Sequence, residues 1–318
     1  MTVVPTVTLK SGEKIPVIGL GTWLSKPGEV AQALKIALKN GYRHIDCAHA
    51  YMNQDEIGQV LEEVIAQGSV KREELFITSK IWNTFHSYEK AKEAVDIILQ
   101  QLKLKYIDLL LIHWPMGFQE GGEIFPRTAD GNHMHYSDAD YLDTWKALEE
   151  AVQAGKVKTI GLSNFNSQQI QRVIDHSHIQ PAMLQIESHP YFQQTKLINF
   201  CKEKGIEVTA FSPLGNMATP FRKEGQANLL EDPVILEIAK HHNKSPAQVI
   251  IHWSIQRGVI VIPKSTSEHR LKENFDVFDF ELSKDEMAKM AGIDRNWRIL
   301  DLTARDGDHP HFPFNIEF

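Results

Sequence analysis

LFITSK at residues 75–80 and IDLLLIH at residues 107–113 are the stretches on which the reading of this chain turns. Each opens on large aliphatic, aromatic or β-branched residues in a run too short for a packed helix, the pattern of a strand buried on both faces. Each also ends on a side chain able to carry a proton, Lys80 in the first and His113 in the second. The pattern recurs upstream as VIGLG at 17–21 and HID at 44–46. Downstream it returns as TIGLSN at 159–164, MLQIES at 183–188, VTAFSP at 208–213 and VIVIPK at 259–264. Eight strands are expected.

Helical periodicity fills the intervals. Pro27 suits a first turn, Val30, Ala33, Leu34, Ala37 and Leu38 follow at helical spacing, and Gly41 supplies a left-handed stop. Further amphipathic segments span 88–104, 140–154, 168–176, 195–204 and 246–256. Strand and helix alternating in this way over about 250 residues match a closed (β/α)8 barrel, with an open doubly wound sheet as the alternative. No Pro- or Gly-rich linker divides the chain, so a single domain over residues 1–318 is expected. VTLKSGEKIPVIG, alternating on either side of Ser11-Gly12-Glu13, reads as a hairpin placed before the barrel. Two long interruptions, 115–138 and 214–230, follow strand ends on the face where barrels keep their sites, and the tail after Gly292 is a third element placed to fold over it.

The net charge of −7 supplies no basic field, which argues against nucleic acid or an anionic membrane as partner. No signal peptide or spanning run is recognised, and a cytoplasmic protein is expected. Cys47 and Cys201 alone exclude a disulfide framework or a multi-thiolate zinc site.

Parallel strands gather their carboxyl ends on one face, so Asp46, Tyr51, Lys80 and His113 become neighbours if the barrel reading holds. A phenol ionises near pH 10, and a nearby cation such as Lys80 favours its charged form. A lysine in a partly buried barrel mouth needs a carboxylate, and Asp46 is one strand away. His113 would then hold a substrate oxygen against the phenol. Taken singly, each residue has a plainer reading: a packing tyrosine, an ion pair at a strand edge, a satisfied histidine beside Trp114. Gly19-Leu20-Gly21 starts like a dinucleotide fingerprint, but position 24 is Leu and the fingerprint fails. Lys264-Ser265-Thr266 with Arg270, after the last strand, is a better phosphate candidate.

DCAHAYMNQDEIG (46–58), ITSKIW (77–82), IDLLLIHWP (107–115), GLSNF (161–165) and IPKS (262–265), in that order, resemble the aldo-keto reductase family, nearest its aldose and aldehyde reductases. The general run of the chain and its tail is also similar to insect reductases of 3-dehydroecdysone. The resemblance implies a (β/α)8 barrel that binds NADPH without a Rossmann domain, works as a monomer, and reduces aldehydes and ketones. Asp46, Tyr51, Lys80 and His113 match the family's catalytic tetrad, with Tyr51 as proton donor. The resemblance further implies that Lys264, Ser265 and Arg270 meet the 2′-phosphate of NADPH and Glu273 and Asn274 the adenine. Ser163, Asn164 and Gln185 fall at the carboxamide, Phe211 stacks on the nicotinamide where relatives generally carry tyrosine, and Thr22 and Ser212 are further cofactor contacts. Trp23, Trp82, Trp114, Phe118, Phe125, Phe221, Trp297 and Leu300 are expected to line an apolar substrate entrance. That lining favours hydrophobic or aromatic aldehydes and steroid ketones over sugars.

Two other readings use the same residues differently. His133-Met-His135 and His309-Pro-His311 offer paired metal ligands for a barrel hydrolase, although neither pair ends an expected strand; no metal is expected at the site. A non-catalytic NADP(H)-binding protein on the same fold is the other.

Overall fold

The structure, a computed structural model, describes residues 4–215 and 227–318. Strands β1 (Thr6–Thr8) and β2 (Lys14–Pro16) pair antiparallel, and Leu9 N–H donates to the Glu13 carbonyl at 2.8 Å across the turn. The eight expected strands follow: β3 (Leu20–Gly21), β4 (His44–Asp46), β5 (Phe76–Ile81), β6 (Ile107–Ile112), β7 (Val157–Ser163), β8 (Met183–Glu187), β9 (Glu207–Phe211) and β10 (Ile260–Val261). All are parallel, and their order in the sheet is their order in the chain. The sheet closes on itself. Val261 N–H donates to the Val17 carbonyl at 3.0 Å, Gly19 N–H to Val261 at 2.8 Å and Gly21 N–H to Pro263 at 3.2 Å. The open-sheet alternative is therefore excluded, and the fold is a (β/α)8 barrel.

Helices α1 (Glu29–Lys39), α2 (Gln54–Ala66), α3 (Tyr88–Leu102), α4 (Tyr141–Gln153), α5 (Ser167–His176), α6 (Thr195–Glu203), α7 (Pro233–His242), α8 (Pro246–Gln256), α9 (Glu268–Phe275), α10 (Lys284–Ala291) and α11 (Thr303–Asp306) complete the described chain. Helix α1 begins two residues later than Pro27 predicts because Glu56 of α2 caps it, accepting Gly28 N–H at 3.1 Å and Ala31 N–H at 2.9 Å. It stops as expected at Gly41, whose φ of 102° only glycine adopts freely. Helices α7, α8 and α10 pack together beside the barrel through Ile235, Ile238, Val249, Trp253, Leu282 and Met290.

The two-residue period of a strand decides which side chains face the barrel axis. Leu110 and Ile112 of β6 face outward into the helical layer, whereas Leu109 and Leu111 join Phe76, Met183 and Ile260 in an inner cluster that hairpin residues Leu9 and Ile15 plug from the amino end. His113 continues the inward parity of β6. Ile45, Ile77 and Ile81 lie in the outer cluster, so Asp46 and Lys80, one residue away, also project inward. The parity that packs the barrel thus delivers three polar residues to its carboxyl mouth.

Helices α2 and α3 approach each other at Gly58, where a Cβ would overlap the Gln101 carbonyl and lie 2.8 Å from the Leu102 carbonyl carbon. We expect Gly58→Ala to cost about 1–3 kcal/mol by forcing the helices apart. Urea unfolding checks it, and an unchanged midpoint would show that α2 shifts freely.

Candidate active site

Four polar side chains interlock at the mouth. Lys80 is fully buried, and its Nζ donates to Asp46 Oδ2 at 2.7 Å, to the Cys47 carbonyl at 2.9 Å and to Tyr51 Oη at 3.2 Å. Asp46 Oδ1 accepts from Gln185 Nε2 at 2.8 Å, so both carboxylate oxygens are engaged. Tyr51 is delivered by a single 3₁₀ turn, His49–Tyr51, that follows β4 and turns the chain back over Lys80. Its ring stands edge-on to His113 with centroids 5.7 Å apart, and Trp82 also packs against that imidazole at 5.2 Å.

Burial governs the protonation states here. It pushes the Tyr51 phenol up, and although Lys80 pulls the other way the outcome is about 12. Lys80 does pull the phenol toward its charged form, as expected, but desolvation outweighs it, and the phenol is protonated at neutral pH. For Lys80, burial alone would lower the pKa, but Asp46 and Tyr51 more than offset it, and the ammonium is held charged above the ordinary lysine value. His113 is driven well below the usual imidazole range, first by burial and then by Lys80, so it is neutral.

A cleft of about 780 Å3 opens above this cluster. Of the residues expected to meet a cofactor, Thr22, Asn164, Gln185, Phe211, Ser212, Lys264, Ser265, Arg270, Glu273 and Asn274 line it. Trp23, Trp82, Trp114, Phe125 and Leu300 line it too, together with Asp46, Tyr51 and His113. Lys80 stands behind its wall. Lys264 and Arg270 are exposed at one end, where Ser265 Oγ accepts from Ser267 N–H at 3.2 Å ahead of α9. Asn164 and Ser212, both on the wall, hold left-handed φ values of 60° and 50°. Neither is glycine, so surrounding contacts must hold them there, as is common at functional sites. Asn164 Nδ2 donates to the His113 carbonyl at 3.0 Å, while its buried Oδ1 has no partner.

Other expected site residues sit as follows. Ser163 is buried and lies off the wall, its hydroxyl accepting from Asn164 Nδ2 at 3.2 Å. Gln185 already gives an amide proton to Asp46, so it braces the carboxylate as well as facing the cleft. Phe118 is wholly buried within the 115–138 loop, where it pairs with Tyr136 across a short antiparallel bridge. Trp297 stacks on Tyr191 with ring centroids 5.9 Å apart and does not line the cleft. Phe221 lies outside the described residues. Of the histidine pairs weighed as metal ligands, His133 Nδ1 meets the Arg305 carbonyl at 3.0 Å, and His309 Nε2 the Gly117 carbonyl at 3.2 Å.

The tail does reach the mouth, with Leu300, Leu302 and Arg305 on the wall. What holds it there is Glu187, which the sequence reading missed. This buried carboxylate accepts Ile299 N–H at 2.7 Å and Leu300 N–H at 2.8 Å, and His189 Nε2 lies 3.0 Å from it. The parity of β8, with Met183, Gln185 and Glu187 inward, was the available signal. Lys26, Ser245 and Arg305 were also missed as lining residues, because only closure of the fold brings them to the cleft.

Asp46, Tyr51, Lys80 and His113 thus meet at the carboxyl mouth of a (β/α)8 barrel. The profile of the Aldo/keto reductase family matches residues 17–295. The chain is 47% identical to aldo-keto reductase family 1 member A1 of Rattus norvegicus, with 98% of each protein covered. It is 46% identical to the Homo sapiens protein of that name, covering 97% of this chain and 98% of that one. It also superposes on the aldose reductase from Schistosoma japonicum with a TM-score of 0.92 at 45% identity, covering 99% and 100% of the two chains. The chain belongs to the aldo-keto reductase family and is an oxidoreductase of that family. No described helix is long and apolar enough to cross a membrane.

Proposed function

We propose that the protein reduces aldehydes and ketones to alcohols with NADPH, Tyr51 protonating the carbonyl oxygen. The observation that carries this reading is the Asp46–Lys80–Tyr51 chain of 2.7 and 3.2 Å contacts ending on a protonated phenol at the floor of the cleft. Bound with its nicotinamide over this floor, NADPH would supply hydride to the carbonyl carbon. The fit is supported by the unpartnered Asn164 Oδ1, which suits a carboxamide N–H, and by the Phe211 ring on the wall. At the other end Lys264, Ser265 and Arg270 suit a phosphate, with Glu273 and Asn274 beside them.

On this reading neutral His113 donates to the substrate oxygen and holds it near Tyr51 Oη. As charge grows on that oxygen the phenol gives up its proton, and the adjacent Lys80 ammonium, kept charged by Asp46, stabilises the phenolate left behind. Trp23, Trp82, Trp114, Phe125 and Leu300 form a largely apolar surround that suits hydrophobic or aromatic aldehydes. A steroid ketone is the second substrate class compatible with it, and the relatives above do not point to the ecdysteroid reductases in particular.

NADPH consumption across a panel of aldehydes, sugars, quinones and steroid ketones tests the reading; cofactor binding without turnover on any of them would replace it with a non-catalytic nucleotide-binding role. For the phosphate end we expect Arg270→Met to weaken NADPH binding about tenfold, the loss of one charge-assisted contact, with NADH little changed. Fluorescence titration reads both affinities. Equal losses for the two nucleotides would remove Arg270 from 2′-phosphate recognition.

A further inference from the structure

Away from the cleft, two imidazoles and a carboxylate converge between helices that lie beside the barrel. His241 and His242 are the last residues of α7, and Glu286 stands in the first turn of α10. His241 Nδ1 lies 2.8 Å from Glu286 Oε1 and His242 Nε2 lies 3.0 Å from the same oxygen. The potential ligand atoms of all three residues fall within 4.8 Å of one another. We propose that His241, His242 and Glu286 bind a divalent transition-metal ion of the zinc class and that the ion pins α7 to α10.

Ligand chemistry selects the class. Two neutral imidazoles and one carboxylate suit Zn2+, Co2+, Ni2+ or Cu2+, whereas Mg2+ and Ca2+ take all-oxygen sites. Geometry also favours it. Tetrahedral coordination at bond lengths of about 2.1 Å puts neighbouring ligand atoms about 3.4 Å apart, so the 2.8 and 3.0 Å contacts of the two imidazoles with Glu286 Oε1 must open by roughly half an ångström. His241 can supply that movement, since its side chain is 71% exposed while Glu286 is 9% exposed and fixed. The fixing comes from Ser283, whose N–H donates to Glu286 Oε2 at 2.8 Å and orients the carboxylate, so that Oε1 meets both imidazoles while His242 Nε2 also lies 3.1 Å from Oε2. An exposed hydrogen bond from His241 alone contributes little to stability. The exposed side of the cluster leaves the fourth coordination position to water.

None of the three residues lines the cleft, so this site is separate from the reductase reading and survives its failure. Full-length protein, stripped with chelator, is titrated with Zn2+ alone by calorimetry and with Co2+ by visible absorption. Expected are one Zn2+ per chain at micromolar affinity, a rise in melting temperature, and a Co2+ spectrum of a four- or five-coordinate site. Glu286→Gln keeps the side chain that a capping box accepts, so that variant folds while losing its anionic ligand. His241→Ala alters an exposed residue. Each variant is expected to weaken Zn2+ at least tenfold. Absence of stoichiometric binding by the unmodified protein, or affinity unchanged in both variants, would overturn the proposal.

Discussion

Conversion of Tyr51 to phenylalanine is expected to lower carbonyl turnover by about 10²–10⁴-fold, the range spanned by a positioned general acid, while NADPH affinity changes less than twofold. The substitution deletes one oxygen. The ring stays wedged against His113, whose centroid is 5.7 Å away, and Lys80 keeps its 2.7 Å contact with Asp46 and its 2.9 Å contact with the Cys47 carbonyl. The electrostatic setting is therefore intact and only the proton is missing. With burial raising the phenol to about 12, the unmodified protein carries that proton throughout the neutral range, so the deficit should persist across neutral pH. Stopped-flow oxidation of bound NADPH separates the chemical step from binding. A variant that turns over near the normal rate would transfer the acid role to His113 or to water.

The legible part of the fold was the part governed by period. Runs such as IDLLLIH and MLQIES carry strand length and parity together, so both the eight strands and the inward direction of Asp46, Lys80 and His113 follow from local sequence. Helix α10, with KDEMAKMA, has too short and too polar a face to announce itself, and its role became visible only where Met290 meets the α7–α8 pair. The same divide runs through the site. The direction of strand-end residues is bound by parity, whereas Trp297 and Phe118 belong to a tail and a loop, whose courses depend on contacts distant in sequence. Trp297 finds Tyr191 and Phe118 finds Tyr136, both more than a few residues away along the chain. The engagement of Gln185 by Asp46 has a similar origin, since the two are 139 residues apart and meet only across the closed barrel.

Lys80→Met is expected to destabilise the fold by about 3–5 kcal/mol, because it strands a buried carboxylate. Asp46 Oδ2 loses its 2.7 Å partner while Oδ1 retains only the Gln185 amide, and neither oxygen gains access to bulk water in the folded barrel. Activity should fall as well, since the phenolate left by proton transfer would lack its neighbouring cation. The two losses have different causes and can be separated. In the double variant Asp46→Asn/Lys80→Met no charge remains to be desolvated, and the asparagine side chain still offers an oxygen to Gln185. A buried ion pair exchanged for neutral groups is often close to neutral in stability, so the double variant should regain most of the lost free energy. Turnover should stay low in both. Urea unfolding of the two variants beside the unmodified chain measures the first quantity, and single-turnover reduction the second. Equal instability in both would mean that the pair contributes by packing rather than by charge. Recovery of turnover in the double variant would show that Tyr51 works without a cation beside it, leaving Asp46 and Lys80 as architecture alone.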